Sequence, residues 1–177
     1  MTRPSRQMPV SQDMPLAVNI REAAAADWPE IWHVLEPTIR AGETYALPQT
    51  WHEHEARTYW FQSGNEVFVA VAAGKLVGTY YLRTNALGGG GHVANCGYLT
   101  AEEARGQGVA RAMCLHSLAH AKVRGFAAMQ FNFVVSSNAP AVKLWTDLGF
   151  KEVGCLPQAF RHPRLGPVDA LLMHRFL

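Results

Sequence analysis

Cysteine is scarce in this chain. Of 177 residues only Cys96, Cys114 and Cys155 are cysteines, an odd number with no C-x-x-C pair. They suit small apolar fillers in a reducing compartment better than a disulfide framework or a zinc site. Charge is thin as well. Charged residues make up 17% of the chain, the net charge is +2, and no basic cluster stands out. A nucleic-acid partner is therefore not expected, because phosphate binding needs a concentrated basic face. No apolar run approaches the ~18 residues that a membrane span requires. The N-terminus carries Arg3 and Arg6 without an apolar h-region, so it does not read as a secretory signal. There is no internal repeat. Eight histidines are present, two of them (His116 and His120) four apart, but the Glu of H-E-x-x-H is missing and no third ligand offers itself, so no metal is expected. What remains is a 49% hydrophobic chain of one-domain length, read as a cytoplasmic globular domain.

Residues 1–15 hold Pro4, Pro9 and Pro15 among polar neighbours and read as a loose leader, with the folded domain over 16–177. Leu16–Glu22 reads as a strand. Asp27 as N-cap and Pro29 in the first turn start a helix whose apolar Ile31, Val34, Leu35 and Ile39 share a face and which Gly42 ends. A second helix is expected after a loop at Glu43–Pro48, with Thr50 and Glu53 forming a capping box. Glu66–Ala73 and Lys75–Thr84 read as a hairpin, His92–Thr100 as a fourth strand, Gly108–Arg124 as a helix, and Phe126–Val135 as a buried strand. Asn138 caps a further helix closed by Gly149, and Phe150–Leu156 and Val168–Phe176 are the last strands. The predicted architecture is α/β: a mixed sheet of about seven strands flanked by about four helices.

The densest chemical signal is Tyr98-Leu99-Thr100 followed by Arg105-Gly106-Gln107-Gly108-Val109-Ala110-Arg111. A strand runs through a glycine-rich turn into a helix start, where unpaired N–H groups and the helix dipole attract an anion. The glycines allow close approach, and Arg105 and Arg111 bring positive charge. A dinucleotide fingerprint is excluded because Arg111 stands where its third glycine belongs. A P-loop is excluded because Gly-Lys-Ser/Thr is absent.

Arg105-x-x-Gly108-x-Ala110 resembles the signature of the GNAT family of acetyl-coenzyme A-dependent N-acetyltransferases, and Asn138 followed by Ala141-x-x-Leu144-Trp145 and Gly149-Phe150 resembles its second hallmark. The resemblance runs over residues ~16–177 and implies a GNAT fold. It further implies that acetyl-coenzyme A is co-substrate and that the Gln107–Arg111 amides hold its diphosphate, with Arg105, Gly106, Gly108, Val109 and Ala110 forming the turn. Main-chain groups of Tyr98, Leu99 and Thr100 would pair with the pantetheine arm. Asn138 would contact the coenzyme, cap its own helix, or do both. An N–H near Leu99 would stabilise the developing oxyanion as a neutral amine attacks the thioester.

The family's usual tyrosine acid is replaced by Trp145, whose indole holds its proton and reads as a core aromatic. Asn95 and Asn132 lie inside apolar strands, where an amide must find partners. With Trp145 they resemble the branch that acetylates proline analogues such as azetidine-2-carboxylate, in which asparagines orient the acceptor. Both also read as satisfied structural amides. Tyr45, in a loop similar to the acceptor-side loop of phosphinothricin acetyltransferases, is a candidate lid residue, and His92 a candidate base. The expected acceptor is a small-molecule amine, an amino or imino acid. Rival readings are a phosphinothricin-type or protein N-acetyltransferase and a non-catalytic coenzyme A-binding module. Homodimers are common in the family, although the sequence carries no interface signature.

Overall fold

Strict alternation of side chains along the two central strands sorts the helices onto opposite faces of one sheet. In the computed structural model, which describes residues 16–177, seven strands run β1 (Asn19–Glu22), β2 (Glu66–Ala72), β3 (Lys75–Thr84), β4 (Val93–Thr100), β5 (Ala128–Val135), β6 (Lys151–His162) and β7 (Gly166–Phe176). The four α-helices are α1 (Trp28–Ala41), α2 (Glu53–Trp60), α3 (Val109–Val123) and α4 (Ala139–Asp147). The leader assigned to residues 1–15 lies outside the described residues. On β3, Thr79 and Tyr81 face α2, where the Trp60 indole donates to the Thr79 hydroxyl and packs edge-on against Tyr81. The intervening Tyr80 faces α3 and meets His116 through its hydroxyl at 2.6 Å. The amphipathic stripes follow suit: Ile31, Leu35 and Ile39 of α1 and Met113, Cys114 and Ala121 of α3 are all buried.

Strand order is β1-β2-β3-β4-β5-β7-β6, and every neighbouring pair is antiparallel except β4 and β5. The β2–β3 turn is the expected Ala73-Gly74, both at positive φ (49° and 75°) as a tight two-residue hairpin demands. Gly42 ends α1 in the left-handed region at φ 61°.

Three boundaries depart from the sequence reading. Asp27 precedes α1 as predicted, but its carboxylate reaches back to the Ala24 N–H (2.7 Å) and forks onto Arg21 instead of capping α1. The capping box of α2 is made by His52 and Glu55, the His52 N–H donating to the Glu55 carboxylate at 2.7 Å, and not by Thr50 and Glu53. β6 also runs on to His162, well beyond Leu156. It passes Pro157 and Gln158 through a bulge, in which Gln158 sits at φ 50° and its N–H donates to the Asp169 carboxylate of β7 at 2.8 Å. No described helix is long and apolar enough to cross a membrane.

Candidate active site

The site begins where the sheet forks. β4 and β5 pair only at Val93–Ala128 and Ala94–Met129 and then part. The phase of that ladder would next bring the Cys96 N–H to the Gln130 carbonyl. That carbonyl instead accepts the Asn95 side-chain amide at 2.9 Å. Asn95, 5% exposed, thus ends the ladder and holds the fork open. Asn95 is not among the residues that line the cleft, and its bond to Gln130 is that of a structural amide. Asn132 does not line the cleft either. It is exposed on the outward bulge of β5, accepting from Gln130 and donating to Asn85 at 2.6 Å.

Past the fork the free edges of β4 and β5 bound a cleft of about 690 Å³. The phase of β4 fixes which of its groups enter. Ala101 donates to Val77 and Asn85 to Val93, so odd-numbered β4 residues bond to β3 while Cys96, Tyr98 and Thr100 present N–H and C=O to the gap. The oxyanion donor is expected near Leu99; the Leu99 N–H itself is taken up by the β3 ladder opposite Thr79, and its neighbours face the gap. Tyr98 and Thr100 carry the free amides. The Tyr98 carbonyl accepts the Tyr45 hydroxyl at 3.1 Å, which lays the loop after α1 across the cleft. Burial pushes the Tyr45 and Tyr98 phenols well above their usual value, so both hold their protons; the Tyr98 hydroxyl bonds to Ser117 at 2.6 Å. Cys96 also lines the cleft, and burial pushes its thiol up to about 12.

At one end of the cleft, Arg105 leads into the glycine turn. Gly106 and Gly108 sit at φ 75° and 83°, with open space where a Cβ would stand. The first main-chain bond into α3 runs from Ala112 N–H to Gly108 C=O, leaving the amides of Gln107, Gly108, Val109, Ala110 and Arg111 without an acceptor within the described residues. Five unpartnered N–H groups at a helix start have the character that suits an anion. The Arg111 side chain leans to α4, 3.6 Å from Asp147. Asn138 lines the cleft and also caps α4, its side-chain oxygen accepting the Ala141 N–H at 3.3 Å. Trp145 packs against Tyr98 and Phe131 as a buried aromatic that also forms cleft wall.

At the other end, Glu43 of the α1–α2 loop pairs with Arg164 of the β6–β7 turn at 2.8 Å. Beside them His162 lines the cleft at 6% exposure. The sequence reading missed His162 because it ended β6 at Leu156; the charged turn Arg161-His162-Pro163-Arg164 between two β-runs was the signal. His92 is outside the cleft, its ring bonded to Gly89. His116 and His120 are stacked on α3 and occupied by Tyr80 and Glu66.

The Acetyltransferase (GNAT) family profile matches residues 19–150, a span that holds the fork, the glycine turn and α4. The chain belongs to the GNAT acetyltransferase family. A GCN5-related N-acetyltransferase from Kribbella flavida is 42% identical and superposes with a TM-score of 0.87, covering 91% of this chain and 98% of that one. N-acetyltransferase aca1 of Schizosaccharomyces pombe is 26% identical over 151 residues, 76% of this chain and 72% of the relative. The phosphinothricin acetyltransferase of Sinorhizobium meliloti, solved in complex with AcCoA, shares the fold at a TM-score of 0.79 and 20% identity, covering 90% of this chain and 88% of that one. As a GNAT enzyme the protein is an N-acetyltransferase whose co-substrate is acetyl-coenzyme A. The unpartnered amides from Gln107 to Arg111, with room above Gly106 and Gly108, fit the diphosphate of that co-substrate.

Proposed function

We propose that the protein transfers acetyl from acetyl-coenzyme A to the amine of a small molecule, an amino or imino acid, in a single direct step. The observation that carries this reading is the forked sheet. It offers the free main-chain edge of Tyr98 and Thr100 beside the five unpartnered amides of the glycine turn. In this reading the Gln107–Arg111 amides and Arg105 hold the diphosphate, Thr100 and Tyr98 pair with the pantetheine arm, and Asn138 contacts the coenzyme from the head of α4.

Acetyl-coenzyme A supplies the activated acetyl thioester. The chain's own part is positioning and electrostatics. The β4 N–H groups that face the gap take up negative charge developing on the carbonyl oxygen, and the cleft walls hold amine and thioester in line. The α-amino group of a peptide titrates at about 8; in a free amino or imino acid the neighbouring carboxylate raises it further, so the ammonium gives up a proton to solvent before the amine attacks. A thiol of pKa ~8.5 leaves tolerably as thiolate, which suits a site whose tyrosines hold their protons.

The Glu43–Arg164 bridge joins the loop after α1 to the β6–β7 turn. That closure favours a small acceptor over a polypeptide, which needs an open groove. An acceptor of the proline-analogue class fits the same enclosure. Three free cysteines suit a reducing, cytoplasmic setting.

The test is purified protein with acetyl-coenzyme A and a panel of amino acids, imino acids, phosphinothricin, peptides and simple amines, read as free thiol released. Release with free amino or imino acids is the expected result. Release only with peptides would assign a protein acceptor. Tight coenzyme binding with no release from any amine would make the domain a binding module.

A further inference from the structure

We infer that the β6–β7 turn seats a carboxylate of the acceptor, received by the His162 Nε2–H and the Arg164 guanidinium. This rests on the acetyltransferase reading above and goes further by naming the group that selects the acceptor.

The argument starts from one nitrogen. His162 Nδ1 lies 3.2 Å from the Arg164 main-chain N and 3.3 Å from that of Leu165. Both of those groups are obligate donors, so Nδ1 must accept, and the ring proton therefore sits on Nε2. The tight turn through Pro163 sets this tautomer, since it aims two successive amides back at the ring. With its lone pair engaged, the neutral imidazole has no basic nitrogen to offer an incoming ammonium. It can only donate.

The Nε2–H has no acceptor within the described residues, although His162 is 6% exposed and lines the cleft. The atom is not cut off from solvent, since Asn65 Oδ1 is the one fully buried side-chain polar atom without a partner among the described residues; the N–H opens onto the cleft, where a ligand oxygen can take the place of water. Two residues on, Arg164 lines the same cleft. Its guanidinium makes one ion pair, to Glu43, and that pair is exposed on the arginine side (75%). The remaining guanidinium donors are open to a second oxygen. A ring N–H and a guanidinium fork from one turn together match the two oxygens of a carboxylate. The acceptor class is therefore an amine that carries a carboxylate, as α-amino and α-imino acids do.

The experiment uses the full chain with acetyl-coenzyme A and matched acceptors, each amino acid against its own carboxamide. We expect kcat/KM to favour the carboxylate form by about 10- to 100-fold, as for a charge-assisted pair of hydrogen bonds. In His162→Ala and in Arg164→Ala that preference should shrink toward one, chiefly through KM for the carboxylate form, with acetyl-coenzyme A affinity intact. Should His162→Ala fail to fold, the exposed Arg164→Ala variant still decides the matter. Nitrogen-15 spectra of the wild-type imidazole, showing Nε2 protonated, give a reading independent of turnover. Equal rates on acid and amide, equal losses on both in the variants, or a proton on Nδ1 would each overturn the carboxylate seat while leaving the transferase reading in place. Absence of thiol release with every amine would remove both.

Discussion

Replacing Gly108 by valine probes the anion seat directly. Gly108 heads α3 at φ 83° and ψ 0°. A β-branched residue held in this left-handed region costs on the order of 1–3 kcal/mol. No atom lies within 4 Å of the position its Cβ would take, so the cost is backbone strain and not collision. Against a typical stability of ~5–15 kcal/mol the variant still folds, melting lower by about 2–4 °C per kcal/mol. Binding suffers more. The strain displaces the first amides of α3, and the new side chain fills the open space beside them. Each charge-assisted hydrogen bond is worth roughly 1.5–3 kcal/mol, so losing two weakens binding by about 3–6 kcal/mol, or ~10²- to 10⁴-fold in Kd. Isothermal titration with acetyl-coenzyme A, beside a melting curve, reads both quantities. S-acetylpantetheine, which lacks the diphosphate, should bind wild type and variant alike. A folded variant with wild-type affinity for acetyl-coenzyme A would refute the assignment.

Asn95→Ala removes the donor that satisfies the Gln130 carbonyl at the fork and should destabilise the fold by about 1–3 kcal/mol, lowering the melting temperature by several degrees. An unchanged melting curve would mean that Asn95 does not hold the fork. Cys96→Ala should keep most of the activity, and no acetyl-enzyme should be trapped by mass spectrometry in the wild type. With the thiol pushed up to about 12, only about one molecule in ten thousand carries the thiolate at pH 8, so a two-step route through this cysteine is closed. A trapped acetyl group on Cys96 would contradict this. The Arg21 guanidinium holds the Asp27 carboxyl below its usual value. That contribution to stability is present above the unfolded pKa near 4 and is lost as pH falls through the lower folded value. Acid unfolding of Asp27→Asn should accordingly show a shallower pH dependence below pH 4 than the wild type, and identical slopes would discount the pair.

Local chemistry of the fold was legible wherever one residue settles one conformation. Gly42 and Gly108 fall at positive φ, Pro29 enters the first turn of α1, and the Asn138 side chain caps α4, because each depends only on its immediate neighbours. The reading failed where a partner distant in sequence decides. Thr50 lost the capping role to His52 because the chain between α1 and α2 is pinned by Arg40, which donates to the Gln49 and Trp51 carbonyls. β6 outran its predicted end because Asp169, on the next strand, accepts the N–H that the bulge at Gln158 leaves over.

The site divides along the same line. The glycine turn lies within one short segment, and so its positive-φ glycines and open helix start could be read from Arg105 to Arg111 alone. The β4 residues that present N–H groups to the gap could not. A strand's sequence fixes which side chains share a face, but its hydrogen-bond phase is set by the neighbouring strand. Val77 and Val93 settle that phase through their partners Ala101 and Asn85, which assigns Leu99 to β3 and Tyr98 and Thr100 to the gap. The asparagines follow the same logic. Asn95 and Asn132 look equivalent as amides in apolar strands, yet one sits where β4 and β5 diverge and the other on a bulge that turns outward. His162 became visible only once β6 was followed to its true end. Unpaired donors in this fold thus collect where the regular ladder stops, at the fork, the glycine turn and the β6–β7 hairpin. Those are the places where main-chain and side-chain donors are left free to meet a ligand.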